Sequence, residues 1–555
     1  MRQAIQKSGV VLQSEFSQDV RSLMSGNKEK LTPFMKLFWQ QQQEEFTKSP
    51  NAIRYHPMII RFCLSLAAKS ASAYEELRNS KVLTLPSRRT LRDYRNVITP
   101  SIGFNPALVQ ELCQTTKSLT GIQRFVVLAF DEMKVQSKLV FIKNTGDLVG
   151  FLDLGDPDIN FTAFDDAEEL ASHALVFYIR GIASDLKFNL AHFATGSLKS
   201  YQLMPLIWKA VAILELTCSL PVSVAASDGA SANRKFYRMH AAMDKNAGKS
   251  VVYRTVNVYA PDRFIWLFAD ALHLMKTARN CLYHSSTGKS TRCMWNDGKY
   301  LLWQHICTIV NDDAENGLKL CPKLSCEHTQ LTSYSVMNVR LAAQVLSETT
   351  GKILKEYHSP DMHGTAEFCL QLDKFFDCLN VRSREEGNFK RKDALKPYTS
   401  HDDERLKWLE NTFLKYLEDW KKSTEDRPGN FSPTDRQKMF LSLQTYEGLQ
   451  MTVYSVIEVT KFLLSKGMTF VLTNRFNQDV VEEYFGRQRS LGRRSDNPNI
   501  WQFGFNDNII RTQRSVAPVT GNTEGRHDKK RKVSWTDVDE TPLKKRQKTN
   551  RFRSA

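Results

Sequence analysis

Residues Phe125 to Phe130 (FVVLAF) form an unbroken run of uncharged, mostly β-forming side chains, and a carboxylate, Asp131, follows at once. A run of this kind, with no polar alternation, suits a strand buried on both faces in the middle of a sheet. An acid at the end of such a strand borders the core, where a charge is costly unless a metal or another cation meets it. The alternative is a strand that simply ends in solvent. Two later stretches can supply partner carboxylates. Pro221–Ala226 reads as a short strand ending at Ser227-Asp228-Gly229-Ala230. In Asn477–Gly486, inward packing of Val481, Tyr484 and Phe485 directs Glu482 toward a sheet edge.

At 555 residues the chain exceeds one core, so three or four domains are expected. The net charge is +17 and the pI about 9.3, which points to a polyanionic partner. Residues 516–555 hold 11 Lys/Arg against 5 Asp/Glu, a net of +6, leaving +11 for the body. No run of eighteen apolar residues and no leader pattern is present, so a soluble protein with no membrane partner is expected. The ten cysteines are scattered, which suits a reducing compartment.

Residues 1–55 read as a weakly organised, helical N-terminal region with a Gln-rich patch at Gln40–Gln43. The segment 56–120 reads as helical, with an amphipathic stretch running from His56 to about Leu77. Ser87 then caps a short helix carrying Arg88, Arg89, Arg92 and Arg95. Helix, turn and short basic helix is the outline of a helix-turn-helix DNA reader; a helical hairpin with a solvated basic face has the same pattern. Over 121–289 the chain is β-rich. Lys138–Lys143 and Leu148–Leu154 read as strands joined at Asn144-Thr145-Gly146-Asp147, followed by a strand at Ala174–Ile182. A helix at Leu198–Glu215, helical pattern at Asn233–Met243 and a strand at Phe264–Ala269 follow. Residues 290–470 read as an α-helical insertion, 471–515 as a return to compact aromatic sequence, and 516–555 as a disordered basic tail.

The strand and helix order around Asp131 and Asp228 resembles the ribonuclease H-like mixed sheet, an α/β fold with flanking helices. Further stretches extend the likeness. They are Leu85-Pro86-Ser87-Arg88-Arg89-Thr90-Leu91, Phe130-Asp131-Glu132-Met133, Gly146-x-x-x-Gly150-Phe151-x-Asp153 and Ser227-Asp228-Gly229-Ala230. Next come Asp270-x-x-His273-Leu274-x-Lys276-x-x-Arg279-Asn280, Val339–Val345, Thr365–Phe368 with Phe375–Asp377, Asn477-Gln478-Asp479-x-x-Glu482-x-x-Phe485-Gly486, and Asn497-Pro498-x-x-x-Gln502-Phe503. In this order, over roughly 80–505, they resemble the P-element-type DNA transposases, whose members often carry a THAP zinc finger in front.

The resemblance implies a DDE transposase that cuts element ends and joins 3′-hydroxyls to target DNA. Asp131, Asp228 and Glu482 would be its catalytic, metal-holding acids, with two Mg2+ ions. It also implies a helical insertion that binds GTP, with Asp479 as a candidate for reading the guanine edge, although no Gly-rich Walker loop is present. The implied partners are DNA, at transposon ends and target, and a second copy of the chain in a dimer or larger assembly. One departure is that residues 1–60 contain no Cys, so no THAP finger is recognisable there. Sequence-specific reading would then fall to Leu85–Arg95 or to a separate protein. A domesticated relative that binds DNA or chromatin without cutting is the alternative.

Three smaller expectations complete the reading. Glu132 alternates away from Asp131 on a strand and is taken as structural. Cys321-x-x-x-x-Cys326-Glu327-His328 lacks a second pair with zinc spacing. In the tail, Lys529, Lys530, Arg531, Lys532 and Lys544, Lys545, Arg546 form two basic clusters that read first as nuclear import signals and second as nucleic-acid contacts.

Overall fold

The Gln-rich patch lies in helix α1 (Pro33–Glu45), where its amides serve neighbouring backbone. The Gln42 amide donates to the Thr84 carbonyl at 3.1 Å and accepts from the Thr84 N–H at 2.6 Å. The pattern expected to run from His56 to Leu77 is two helices, α2 (Pro57–Lys69) and α3 (Ala71–Asn79). Ser70 divides them: it closes α2 in an extended conformation, and its hydroxyl accepts from Ala73 N–H at 3.2 Å. Helix α4 (Arg88–Arg95) starts at Ser87, as expected, with Thr90 N–H donating to the Ser87 hydroxyl. Ile59, Ile60, Cys63, Leu64, Tyr74, Leu85 and Leu91 form the core of this helical group.

The computed structural model describes residues 32–45, 48, 52–143, 146–164, 168–196, 198–244, 248–287, 291–315, 319–491, 497–516 and 542–546. The first import cluster, Lys529–Lys532, and the turn residues Asn144 and Thr145 lie outside them. The chain divides into two units, one of residues 1–101, 491–493 and 501–555, the other of 102–490 and 494–500.

The second unit is built on a six-stranded sheet. Strand β1 (Val126–Lys134) is central, and Val126 to Phe130 are at most 1% exposed. Each large apolar side chain so buried contributes roughly 1.5–3 kcal/mol. Strand β2 (His173–Gly181) pairs antiparallel with β1, and β3 (Lys187–Thr195) antiparallel with β2. On the other side β4 (Val222–Ser227) runs parallel to β1. Strand β5 (Arg254–Val256) forms the far edge, antiparallel to β6 (Phe264–Ala269), which runs parallel to β4. This is the expected ribonuclease H-like mixed sheet.

Helices α5 (Ser200–Ala212), α6 (Ser231–Arg238) and α7 (Ala271–Tyr283) follow β3, β4 and β6 in the chain. Strand β3 is not foreseen from sequence because Asn189 and His192 interrupt its apolar character; both are buried, and Asn189 Nδ2 donates to the Tyr484 hydroxyl at 3.1 Å. The helical block contains α8 (His363–Leu379) and α9 (Lys415–Asp426), joined by a Phe368–Trp420 edge contact. It also contains an unforeseen hairpin, Met294–Asn296 with Lys299–Leu301. Its two-residue turn, Asp297-Gly298, has both φ angles positive, which is the signature of a tight hairpin loop. Helix α10 (Leu443–Ser465) lies against β6: the hydroxyls of Thr452 and Ser455 donate to the carbonyls of Ala269 and Leu267 at 2.8 and 2.6 Å. Helix α11 (Asp479–Leu491) follows, and α12 (Ile500–Val516) closes the described helices, with Phe503 buried.

Candidate active site

Asp131 leaves the buried part of β1 half-exposed, and Asp228 follows the last residue of β4. Ala129 stands opposite Ala226 in the parallel pair, so two residues further on both acids reach the same sheet edge. Gly229, at φ +76°, turns the chain sharply away from the strand toward α6, a conformation that a side chain would strain. The turn is closed by Asp228 itself, whose Oδ1 accepts from Ala230 N–H and Asn233 Nδ2, both at 2.8 Å.

Glu482 sits in the first turn of α11, with Val481, Tyr484 and Phe485 buried as expected. Two residues that sequence reasoning did not assign hold this helix to the edge. Gln478 Nε2 donates to the Phe130 carbonyl at 2.7 Å, directly before Asp131. Gln478 N–H donates to Asp270 Oδ1 at 3.2 Å, while His273 N–H donates to Asp270 Oδ2 at 2.9 Å. Asp270 follows the apolar strand Phe264–Ala269, the same signal that marks Asp131 and Asp228, and this signal could have found it. Gln478 carries no such signal.

The electrostatics are those of crowded carboxylates. Burial first, then Asp228 and Glu482, push the Asp131 carboxyl up to about 8. Burial, then Asp479 and Glu482, push Asp270 up to about 7. The Glu482 side chain is reached by solvent, yet the surrounding protein raises its carboxyl; buried Lys276 opposes that shift and Asp479 adds to it. Burial and Lys276 hold the His273 imidazole below its usual range, against Asp228. Glu132 accepts from the Thr195 hydroxyl at 2.6 Å, in keeping with its structural assignment. Asp479 Oδ2 accepts from Asn474 Nδ2 at 3.0 Å.

Among the described residues no three His, Cys, Asp or Glu side chains converge tightly enough to hold one ion by themselves. Mg2+ does not require that, since it binds through one or two carboxylates and keeps waters or substrate oxygens. An all-oxygen set in which Asp228 and Glu482 add to the rise of the Asp131 carboxyl fits such a cation. Beside Asp228 opens a cavity of about 460 Å³, lined in part by Arg234, Arg238, His273, Thr277 and Glu447. The Cys321–His328 segment forms no metal site: Cys321 is buried, Cys326 is exposed, and the His328 ring faces Ser325 and Gln344. In the other unit, Arg88, Arg89 and Arg92 are exposed on α4, and Arg95 is half-buried.

Comparison with known proteins agrees with the ribonuclease H-like fold. Residues 100–240 match the family model "TNP-like, RNase H N-terminal domain", and residues 272–392 match "TNP-like, GTP-binding insertion domain". The Transposable element P transposase of Drosophila melanogaster is 26% identical over 247 residues, 43% of this chain and 29% of that protein. The DNA transposase THAP9 of Homo sapiens is 22% identical over 338 residues, 59% of this chain and 35% of that protein. The matches thus span about a third of the length of each curated relative. A chain of the Drosophila P element transposase strand transfer complex shares the fold with TM-score 0.69 at 20% identity, over 89% of this chain and 98% of that one. By its two matched domains in order and these relatives, the chain belongs to the P-element-type transposase family.

Proposed function

We propose that this chain is a metal-dependent DNA transposase that cuts element ends and joins the freed 3′-hydroxyls to target DNA. The observation that carries the reading is the placement of Asp131 and Asp228 at one edge of two adjacent parallel strands, with the Glu482 helix hydrogen-bonded to that edge through Gln478. Asp131, Asp228 and Glu482 would hold two Mg2+ ions. When bound, such ions would stabilise the attacking and leaving oxygens of phosphodiester transfer. The chain's own part is to hold the three carboxylates in place. Asn233 and Ala230 fix the Asp228 carboxylate, and Lys276 lies within electrostatic reach of Glu482.

The reaction is proposed to depend on GTP, taken up by the matched insertion, with Asp479 reading the guanine edge. Handling two ends implies a dimer or larger assembly. A nuclear location follows from the Lys529–Lys532 cluster. The test is cleavage of labelled DNA carrying terminal repeats, with Mg2+, with and without GTP, beside Asp228→Ala. Cutting that requires metal, GTP and Asp228 supports the reading. Binding without cutting under every condition would replace it with a domesticated DNA-binding relative.

A further inference from the structure

The last basic cluster of the chain is seated on the helical unit. Leu543 is half-buried against the core of α2 and α4, in the cluster that includes Ile59, Cys63 and Leu91. Arg546 N–H donates to the Asp93 carbonyl at 3.0 Å, and Lys545 Nζ lies 5.5 Å from the centre of the Tyr94 ring. Lys544, Lys545 and Arg546 themselves are exposed. The seat is near the C-terminal end of α4, where the helix dipole favours cations.

Its other surroundings are less favourable. Helix α4 already carries Arg88, Arg89, Arg92 and Arg95, and burial together with Arg92 and Arg88 depresses the Arg95 guanidinium pKa. Glu75 lies 3.9 Å from Arg88, too loose a pairing to neutralise the group. Apolar packing, a backbone hydrogen bond and a cation–ring contact thus bring three further cations to a helix crowded with like charge. Such a face suits a partner that presents a row of anions.

We propose that Lys544, Lys545 and Arg546 form one phosphate-binding face with Arg88, Arg89 and Arg92, so that the tail segment is part of the DNA interface. This rests on the DNA-acting function proposed above. It assigns to the second basic cluster a role other than import. An import receptor would first have to lift Leu543 from its seat.

The test is fluorescence anisotropy of the full chain with a fluorescein-labelled duplex over roughly 50–200 mM salt. One variant replaces all three cations (Lys544→Ser, Lys545→Ser, Arg546→Ser); a second, Leu543→Asp, keeps them but unseats the segment. A control, Lys548→Ser with Arg551→Ser, removes tail charge elsewhere. The triple variant should bind about tenfold or more weakly, with a plot of log affinity against log salt less steep by about 0.9 per lost contact. Leu543→Asp should weaken binding similarly although it removes no cation, and the control should bind as the unaltered chain does.

Unchanged affinity and slope in the triple variant, with reduced nuclear accumulation of a fluorescent fusion, would overturn the proposal in favour of import. An equal loss in the control would reduce it to generic tail charge, and unaltered binding by Leu543→Asp would refute the seating. Failure of the unaltered chain to bind any duplex would overturn the DNA reading along with it, and so is distinguishable from the other outcomes. The triple variant leaves the core untouched, so its result stands even where Leu543→Asp lowers the melting temperature.

Discussion

The Gln478 side-chain amide donates to the Phe130 carbonyl at 2.7 Å, linking the helix that carries Glu482 to the strand that carries Asp131. Glu482 N–H in turn donates to the Gln478 carbonyl at 3.1 Å, so one residue sets both the start of α11 and its height above the sheet. Gln478 is 2% exposed, and its amide has the Ala226 carbonyl as a more distant neighbour at 3.5 Å. Gln478→Leu keeps the bulk and removes the donor. It should lower the melting free energy by about 1–2 kcal/mol, because the Phe130 carbonyl loses its partner in a dry site. Cleavage should fall by roughly one to two orders of magnitude, as expected for a small misplacement of a catalytic group, with DNA affinity unchanged. Equal cleavage by the variant would show that α11 is positioned by its apolar face alone.

The crowding of carboxylates gives a second expectation, readable without DNA. Asp131 lies under the influence of Asp228, Glu482 and Glu132, all of which disfavour its ionised form. A bound divalent cation reverses that repulsion and adds stability by mass action. Mg2+ should therefore raise the melting temperature of the unaltered chain. In Asp131→Asn the metal-free melting temperature should be equal or higher, and the Mg2+ increment should disappear. Cleavage by this variant should drop on the order of a thousandfold or more. A full Mg2+ increment in Asp131→Asn would remove this residue from the metal site.

The parts of the site visible in sequence are those that short-range pattern encodes. An apolar strand followed by an acid marks Asp131 and Asp228, and the inward positions Val481, Tyr484 and Phe485 orient Glu482. The fold is legible for the same reason, down to the Ser87 cap of α4. What pattern does not carry is pairing at a distance. Gln478 and Phe130 are 348 positions apart, and nothing near either residue announces the contact. Strand β3 escapes because Asn189 and His192 look solvated in sequence but are buried once the sheet forms. The hairpin at Asp297-Gly298 does carry a local signal, its turn dipeptide, but one hidden among helical neighbours.

A third prediction concerns Glu45 at the end of α1. Its carboxyl is 2% exposed, and Oε2 has no hydrogen-bond partner among the described residues. Burial pushes it up to about 7, against the opposing hydrogen bond from Gln41. An acid with a raised folded pKa is most stabilising while protonated. Between about 4.5 and 7 the unfolded chain ionises first, so stability is lost as pH rises through this window. Glu45→Gln should stabilise the helical unit by about 1–3 kcal/mol at pH above the window and by little below it. Thermal melts at the two ends of the window check this; a pH-independent difference would place the effect in packing rather than in ionisation.

The last prediction tests how closely α10 must approach the sheet. A Cβ at Gly448 would lie 2.7 Å from Leu274 Cδ2 and 3.4 Å from Ala269 Cβ. The first neighbour is the movable end of a side chain, and alanine favours a helix over glycine by about 1 kcal/mol. Gly448→Ala should therefore be near neutral in melting. Gly448→Val adds two methyl groups that Ala269 cannot yield to, and it should cost about 1–3 kcal/mol through overpacking. The same residue lines the cavity beside Asp228, together with Leu274 and His273. If that cavity admits DNA next to the cut phosphate, Gly448→Val should raise the KM for cleavage more than its loss of stability explains. A kcat loss at unchanged KM would instead mean that the shift reaches Asp270 and, through Gln478, the Glu482 helix.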